Sequence, residues 1–187
     1  MNLMDAIYHR RAIRDYSDAP VDQELIRFVI AAAIEAPNAM NRQPWSFVVV
    51  TSRAVLDHCA ERAKAHMLSM LSANPHLAGY REHLATPSFN IFYNAPALVV
   101  VCATAGDTQA AEDCALAAQN LMLAAHGHGL GTCCIGFARP WFDTSAGKAA
   151  LGIPAAHVPV IPIIIGWPKE AVSGHPRRPP DIHWLSS

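Results

Sequence analysis

Apolar residues recur along this chain at two different periods, and the changes of period mark out its elements. Leu3, Ala6 and Ile7 repeat at helical spacing and predict a short helix that ends near Arg10. Asp22 is a good N-cap, with Val21 and Ile26 at the two positions of a hydrophobic staple. Leu25, Val29, Ala32, Ala33 and Ala36 continue that helix until Pro37 stops it. Residues 37–44 form a polar loop. Residues 46–51 are apolar on both faces, which predicts a central strand. Residues 53–71 read as a helix. Residues 76–94 follow no single period and carry four aromatics, Tyr80, Phe89, Phe92 and Tyr93. Residues 97–103 are a second buried strand. Residues 107–126 form the longest helix, apolar nearly all round, and Gly127, Gly129 and Gly131 end it. A short helix over 140–151 and a buried strand over 158–166 follow. Residues 173–180 are an irregular arm rich in Pro and Gly.

Strands separated by whole helical layers imply a sheet covered on both faces. The long apolar helix needs more cover than one sheet gives, and a dimer interface would supply it, with Leu116 and Leu121 among the residues placed there.

Composition adds bounds. The chain has 187 residues and 52% hydrophobic content, enough for one domain with its own core. Formal net charge is -1, so no basic excess points to nucleic acid. Only 16% of residues are charged, which is low for a monomer of this size and agrees with a partner-covered surface. Met1–Arg11 carries its basic residues after its apolar ones, the reverse of a secretory leader, and no apolar run spans a membrane. The five cysteines have no framework spacing, which points to a reducing, cytoplasmic setting.

Three clusters carry candidate chemistry. They are Arg10, Arg11 and Arg14; the loop Pro37-Asn38-Ala39-Met40-Asn41-Arg42-Gln43-Pro44-Trp45; and Arg177-Arg178 in the arm. Arginine holds phosphate through a planar fork. Asn and Gln offer both donors and acceptors, as the edge of a flavin pyrimidine ring requires. Taken singly, each cluster also reads as a solvated patch, a turn or a free tail; their combination is what points to a site.

Arg10-Arg11-Ala12-Ile13-Arg14 resembles the opening signature of the flavin nitroreductases. The segment Ala36 to Trp45 is similar to their Asn-x-Gln-Pro-Trp loop. Phe89 to Pro96, Glu112 to Ala125 running into Gly129-Leu130-Gly131, and Pro162 to Pro168 continue the resemblance over essentially the whole chain. The resemblance implies an α+β fold: a three-layer α/β/α sandwich with a mixed, mostly antiparallel sheet and the long helix at a homodimer interface. It implies a single domain over 1–187, with 173–187 a C-terminal arm, and a cofactor, FMN, at the subunit interface. Arg10, Arg14 and one or both of Arg177 and Arg178 would hold the phosphate. Arg11 and Ala12 would touch phosphate, ribityl chain or ring. Pro37, Asn38, Ala39, Asn41 and Gln43 would meet the flavin from the second subunit. Asn90 would face the pyrimidine edge, and Ile135 and Gly136 would offer backbone groups near N5. Two departures stand out: Ala12 replaces the usual Ser, and no lysine neighbours Asn90 in sequence.

The implied activity is hydride transfer from NADH or NADPH through flavin N5 to a nitroaromatic, quinone or similar electron-poor acceptor, by ping-pong kinetics. Alternatives sharing the cofactor are flavin destruction, dehalogenation, dehydrogenation, or a flavin-binding dimer without turnover. No catalytic side chain and no metal is assigned. His126, His128, Cys133 and Cys134 match no zinc spacing, and Cys133-Cys134 reads as a buried pair beside the flavin. His58, His66, His76 and His83 are expected at the surface. The four aromatics and Phe137 are either core or platforms for a flat acceptor. Arg42, Arg81 and Arg139 are the candidates for a nucleotide 2'-phosphate.

Overall fold

The computed structural model describes residues 1–71 and 79–185. Four strands, β1 (Trp45–Val50), β2 (Ala97–Ala103), β3 (Gly131–Cys134) and β4 (Val158–Gly166), form one sheet in the order β1-β2-β4-β3. Every pair in it is antiparallel, and β2 carries an irregularity between Val101 and Cys102 opposite β4. Among the described residues the one parallel contact is an isolated bridge from Ala12 to Thr132.

Strand period 2 divides β2 between two cores. Leu98, Val100 and Cys102 face a layer that includes α3 (Arg53–Leu71), with Leu56, Cys59, Ala63, Met67, Phe92, Trp141 and Phe142. Ala97, Val99, Val101 and Ala103 face α2 (Gln23–Ala33) and α5 (Thr108–Gly127), with Ile26, Val29, Ala117 and Leu121. Helix, sheet and helix are the three expected layers. Short helices α1 (Leu3–His9), α4 (Arg81–Ala85), α6 (Arg139–Phe142) and α7 (Ser145–Leu151) complete the chain.

The predicted cap forms, and the structure adds a second. The Asp22 carboxylate accepts from the Glu24 N–H at 2.6 Å, and the staple residues Val21 and Ile26 are both buried. Asp107 caps α5 through the Ala110 N–H at 2.8 Å.

Several expectations need correction. β1 is an edge strand, and Val49 is 42% exposed. Apolar faces report covering layers above and below, which β1 has through Phe47 and Val48, and say nothing about strand neighbours. β3 begins at Gly131, one of the glycines expected only to end the long helix, and its four residues are too few to show a period. The region predicted as one helix over 140–151 is two, α6 and α7, separated by the Thr144 N-cap. Leu3 and Ile7 are exposed, and only Ala6 of that predicted face is buried. Leu116 is 45% exposed whereas Leu121 is fully buried, so α5 is covered on most sides but not all. Cys134 is exposed although Cys133 is buried. His58 and His83 are exposed, His66 is half-buried, and His76 lies outside the described residues. Among the described residues no helix is long and apolar enough to cross a membrane, and no group of three metal-ligating side chains is found.

Candidate active site

α1 ends at Arg10, whose N–H donates to the Ala6 carbonyl at 3.0 Å. The chain then runs extended beside β3, with the Ile13 N–H donating to the Thr132 carbonyl at 3.0 Å. Gly131 permits this approach. A Cβ there would come within 2.7 Å of Ile13 and 2.9 Å of Pro168. The Arg10–Arg14 segment is therefore fixed at the β3 edge of the sheet.

β3 ends at Cys134 and turns through Ile135 into a 3-10 turn, Gly136–Ala138. Arg14, Cys133, Cys134, Ile135, Gly136 and Phe137 form one side of a cleft of about 380 Å³. Its other walls are Tyr80, His83, Phe89, Ile91 and Tyr93. The rings of Tyr80 and Phe137 meet edge-on at 5.2 Å, and those of Phe89 and Tyr93 at 5.5 Å. Phe92, 1% exposed, belongs to the core instead. Ile135 is buried, while Gly136 has open space where a Cβ would point.

Arg14 is the charged wall of this cleft, 6.0 Å from the centre of the Tyr93 ring. Burial pushes the Tyr93 hydroxyl and the Cys133 thiol above their ordinary pKa, and the Arg14 charge works against both shifts. Burial also raises the Cys134 thiol, with Cys133 adding to the rise and Arg10 opposing it. Both thiols are thus held toward the neutral form.

The Tyr93 wall is strained and well supported. Tyr93 and Asn94 have φ of 52° and 56°, a region costing non-glycine residues about 1–3 kcal/mol each. Asn90 Oδ1 accepts from the Phe92 N–H at 2.8 Å, and Arg53 donates to the carbonyls of Asn94 and Ala95 at 3.0 and 3.1 Å. Asn90 lines a neighbouring cleft of about 450 Å³. Lys64 lines it too, donating to the carbonyls of Thr86 at 2.7 Å and Phe89 at 2.8 Å. A lysine does neighbour Asn90, then, delivered from α3 far away in sequence.

The Asn-rich loop is tied to the opposite side of the sheet. Asn38 Oδ1 accepts from the Gln43 N–H at 2.8 Å, and Asn41 Oδ1 accepts from Gln43 Nε2 at 3.0 Å. Met40, Asn41 and Gln43 have φ of 54°, 55° and 48°. Asp113, buried on α5, receives the Ala39 N–H at 3.3 Å on each carboxylate oxygen and Gln109 Nε2 at 3.2 Å. Arg42 pairs with Asp107 at 3.0 Å. Pro37 is exposed at the head of the loop. Asp113 is a supporting residue that the three clusters missed. Its signal was an acid placed among small apolar residues on α5, where only a partner makes burial tolerable. Asp113→Ala should cost about 2 kcal/mol, the worth of a hydrogen bond to a charged group. A fall in Tm of roughly 4–8 °C, with faster proteolysis at Arg42, would show the loop released.

Within one chain the two main clusters do not meet. The loop leads into β1 and the Arg segment lies beside β3, at the two edges of a four-stranded sheet. The segment lies one strand beyond β3, so four strand spacings separate them, roughly 19 Å. Arg10 is half-buried at the end of α1, and Ala12 is half-buried beside β3. Arg11 turns away from the Arg14 cleft and lines another, of about 490 Å³, with His126 and residues 168–172. Arg177 and Arg178 are exposed on the arm and line none of these clefts.

The comparisons with known proteins agree on one lineage. Residues 7–167 match the model of the Nitroreductase family. A Methanothermobacter thermautotrophicus protein, provisionally named NADH dehydrogenase/NAD(P)H nitroreductase, is 31% identical over 175 residues, covering 91% of this chain and 79% of that protein. A 5,6-dimethylbenzimidazole synthase of Rhodospirillum rubrum is 31% identical over 190 residues, covering 89% and 82%. The crystal structure of a nitroreductase with bound FMN from Bacteroides fragilis superposes with a TM-score of 0.86 at 25% identity, covering 100% of both chains. Sheet order, flanking layers, motif loops and these likenesses converge, and the chain belongs to the nitroreductase family.

Proposed function

We propose that this protein is an FMN-dependent oxidoreductase that takes hydride from NADH or NADPH and passes it to a nitroaromatic, quinone or similar electron-poor acceptor. The observation that carries this reading is the Arg14 cleft. It joins a cation for an anionic group, an aromatic wall for a flat ring, and a turn after β3 with open space beside Gly136. Those are the three chemistries of FMN: phosphate, isoalloxazine plane and polar ring edge. The B. fragilis relative carries FMN at full coverage, and the archaeal relative is named for NAD(P)H.

When bound, FMN would supply the hydride chemistry, and the protein's own groups bind, orient and exclude water. Arg10 and Arg14 would take the phosphate, joined by Arg177 or Arg178 as the arm closes. The turn at Ile135 and Gly136 would meet the polar edge of the ring. Tyr80 and Phe137 would close the outer face and select planar acceptors. Asn90 and Lys64 belong to the adjoining cleft, so the positive charge favouring the reduced ring falls to Arg10 or Arg14.

The working unit in this reading is a homodimer of single domains, residues 1–187, with 173–187 as the arm. Pro37, Asn38, Ala39, Asn41 and Gln43 lie at the far edge of their own sheet, so they complete the site of the second subunit. Exposed Leu3, Met4, Ile7, Tyr8 and Leu116 supply apolar surface for that contact. The arm carries Ile182, Trp184 and Leu185, all exposed, and the β1 edge with Val49 is unpaired, so both have surface for a second subunit to cover.

The full-length likeness to the R. rubrum synthase favours one second reading, a specialised flavin chemistry on the same cleft. A visible spectrum of the purified protein, followed by anaerobic NADH and then NADPH, separates these. Flavin absorbance that bleaches with either nucleotide supports the reductase. Bound flavin that bleaches with neither favours the second reading, and a colourless protein that cannot be reconstituted with FMN overturns both.

A further inference from the structure

Three arginines crowd the segment Arg10–Arg14, yet the fold gives one of them a different task. Arg11 spends one guanidinium nitrogen on the chain itself, donating to the carbonyls of Tyr8 at 2.7 Å and Arg10 at 2.8 Å. These lie at the end of α1, where unpaired carbonyls and the helix dipole favour a cation. Its charge is therefore answered by the helix end. The Nε side of the same group is buried and has no hydrogen-bond partner. That side lies against Gly174, where a Cβ would collide with the guanidinium.

The chain after β4 reaches this point by a defined track. The Ser17 N–H donates to the Trp167 carbonyl at 2.9 Å, Tyr16 bridges Pro168 antiparallel, and the Lys169 N–H donates to the Asp15 carbonyl at 3.3 Å. Lys169 also pairs with Asp15 at 3.0 Å. The chain thus leaves the sheet antiparallel to residues 15–17, and five residues after Lys169 its backbone lies against the Arg11 side chain at Gly174. Arg177 follows three residues later, at most roughly 10 Å of extended chain from Gly174.

We infer that Arg11 is the positioning residue of the C-terminal arm: its guanidinium, anchored on the end of α1 by two hydrogen bonds, is the platform against which the backbone at Gly174 rests, so that a Cβ added there must displace either the side chain or the arm. The inference rests on the reading above that Arg177 or Arg178 serves the FMN phosphate. Arg11 then acts on the phosphate through the arm and not by touching it. Holding residue 174 in place keeps the arm's two cations at high local concentration beside Arg10 and Arg14.

The test uses the full chain and two ligands, FMN and riboflavin, which differ only in the phosphate. Dissociation constants are measured by flavin fluorescence for R11A, G174A, R177A/R178A, and R11A and G174A combined with R177A/R178A. R11A and G174A are each expected to lower the preference for FMN over riboflavin about tenfold, as for one charged hydrogen bond. In the R177A/R178A background neither should lower it further. G174A retains Arg11, so agreement between the two variants separates displacement of the arm from loss of a charge. Equal losses for FMN and riboflavin would overturn the inference by making Arg11 merely structural. A loss in R11A that persists without Arg177 and Arg178 would overturn it by making Arg11 a direct ligand. If R177A/R178A loses the preference while R11A and G174A keep it, the platform fails alone. If R177A/R178A keeps it, the reading of the arm fails, and the inference with it.

Discussion

Arg14→Ala is expected to purify with little flavin and to rebind FMN about 10- to 150-fold more weakly, the loss of 1.5–3 kcal/mol for a hydrogen bond between charged groups. Arg14 is chosen over Arg11 because it lines the aromatic cleft and Arg11 does not. It is cleaner than Arg10, whose backbone closes α1. Riboflavin affinity should change far less, because the partner lost is the phosphate's. The Tyr93 hydroxyl and Cys133 thiol should also move further up in pKa, since burial then acts on Tyr93 without the Arg14 charge and on Cys133 with only Arg10 left to oppose it. Isothermal titration of the apoprotein with both flavins checks the main claim. An Arg14→Ala protein that keeps stoichiometric FMN through gel filtration would remove Arg14 from the phosphate site.

In the proposed homodimer, Leu116→Glu should turn the pair into monomers and strip them of FMN in the same step. Leu116 belongs to an α5 stripe with Glu112, Gln119 and half-buried Leu123 that reaches the surface of the single chain. A carboxylate pressed into an apolar interface is unpaired there and costs several kcal/mol, or a factor of a thousand or more in association. The single chain has no core contact to lose at that position, so the monomer should stay folded. Leu121, one turn further along, behaves differently. It is fully buried against the sheet, and Leu121→Ala should cost about 2–5 kcal/mol of fold stability without a specific effect on association. Sedimentation with flavin absorbance detection distinguishes the two. A Leu116→Glu monomer that retained FMN would end the idea of a site completed by a second subunit.

The contrast between those leucines shows what the sequence can and cannot express. The apolar pattern found α2 by its regular face, and α5, β2 and β4 by runs apolar nearly throughout. It could not rank the sides of α5, where Ala115, Leu116, Ala117 and Ala118 are all apolar and only the packing of α2 and the sheet decides which is covered. β1 was legible as a strand but not as an edge, since strand order is set by pairing partners far away in sequence. β3 was hidden because four residues after a helix cap carry no period. At the site, residue types revealed the Arg, Asn and Gln clusters, while their division between two sheet edges is a property of topology. Asp113 and Lys64 were missed for a related reason. Each supports backbone carbonyls or amides, and a backbone group leaves no mark in the sequence.

In the proposed homodimer, that division between the β1 and β3 edges has a consequence in mass action. A ligand held by groups from two chains binds the assembled pair and not the separate subunits, so it stabilises assembly by RT ln(1 + [L]/Kd). Flavin at a hundred times its dissociation constant would add about 2.7 kcal/mol to the association. Cofactor supply would then set how much of the protein persists as the pair. In flavin-starved cells the open β1 edge and the bare α1 surface would be exposed to chaperones and proteases, and the polypeptide would be cleared together with its missing prosthetic group.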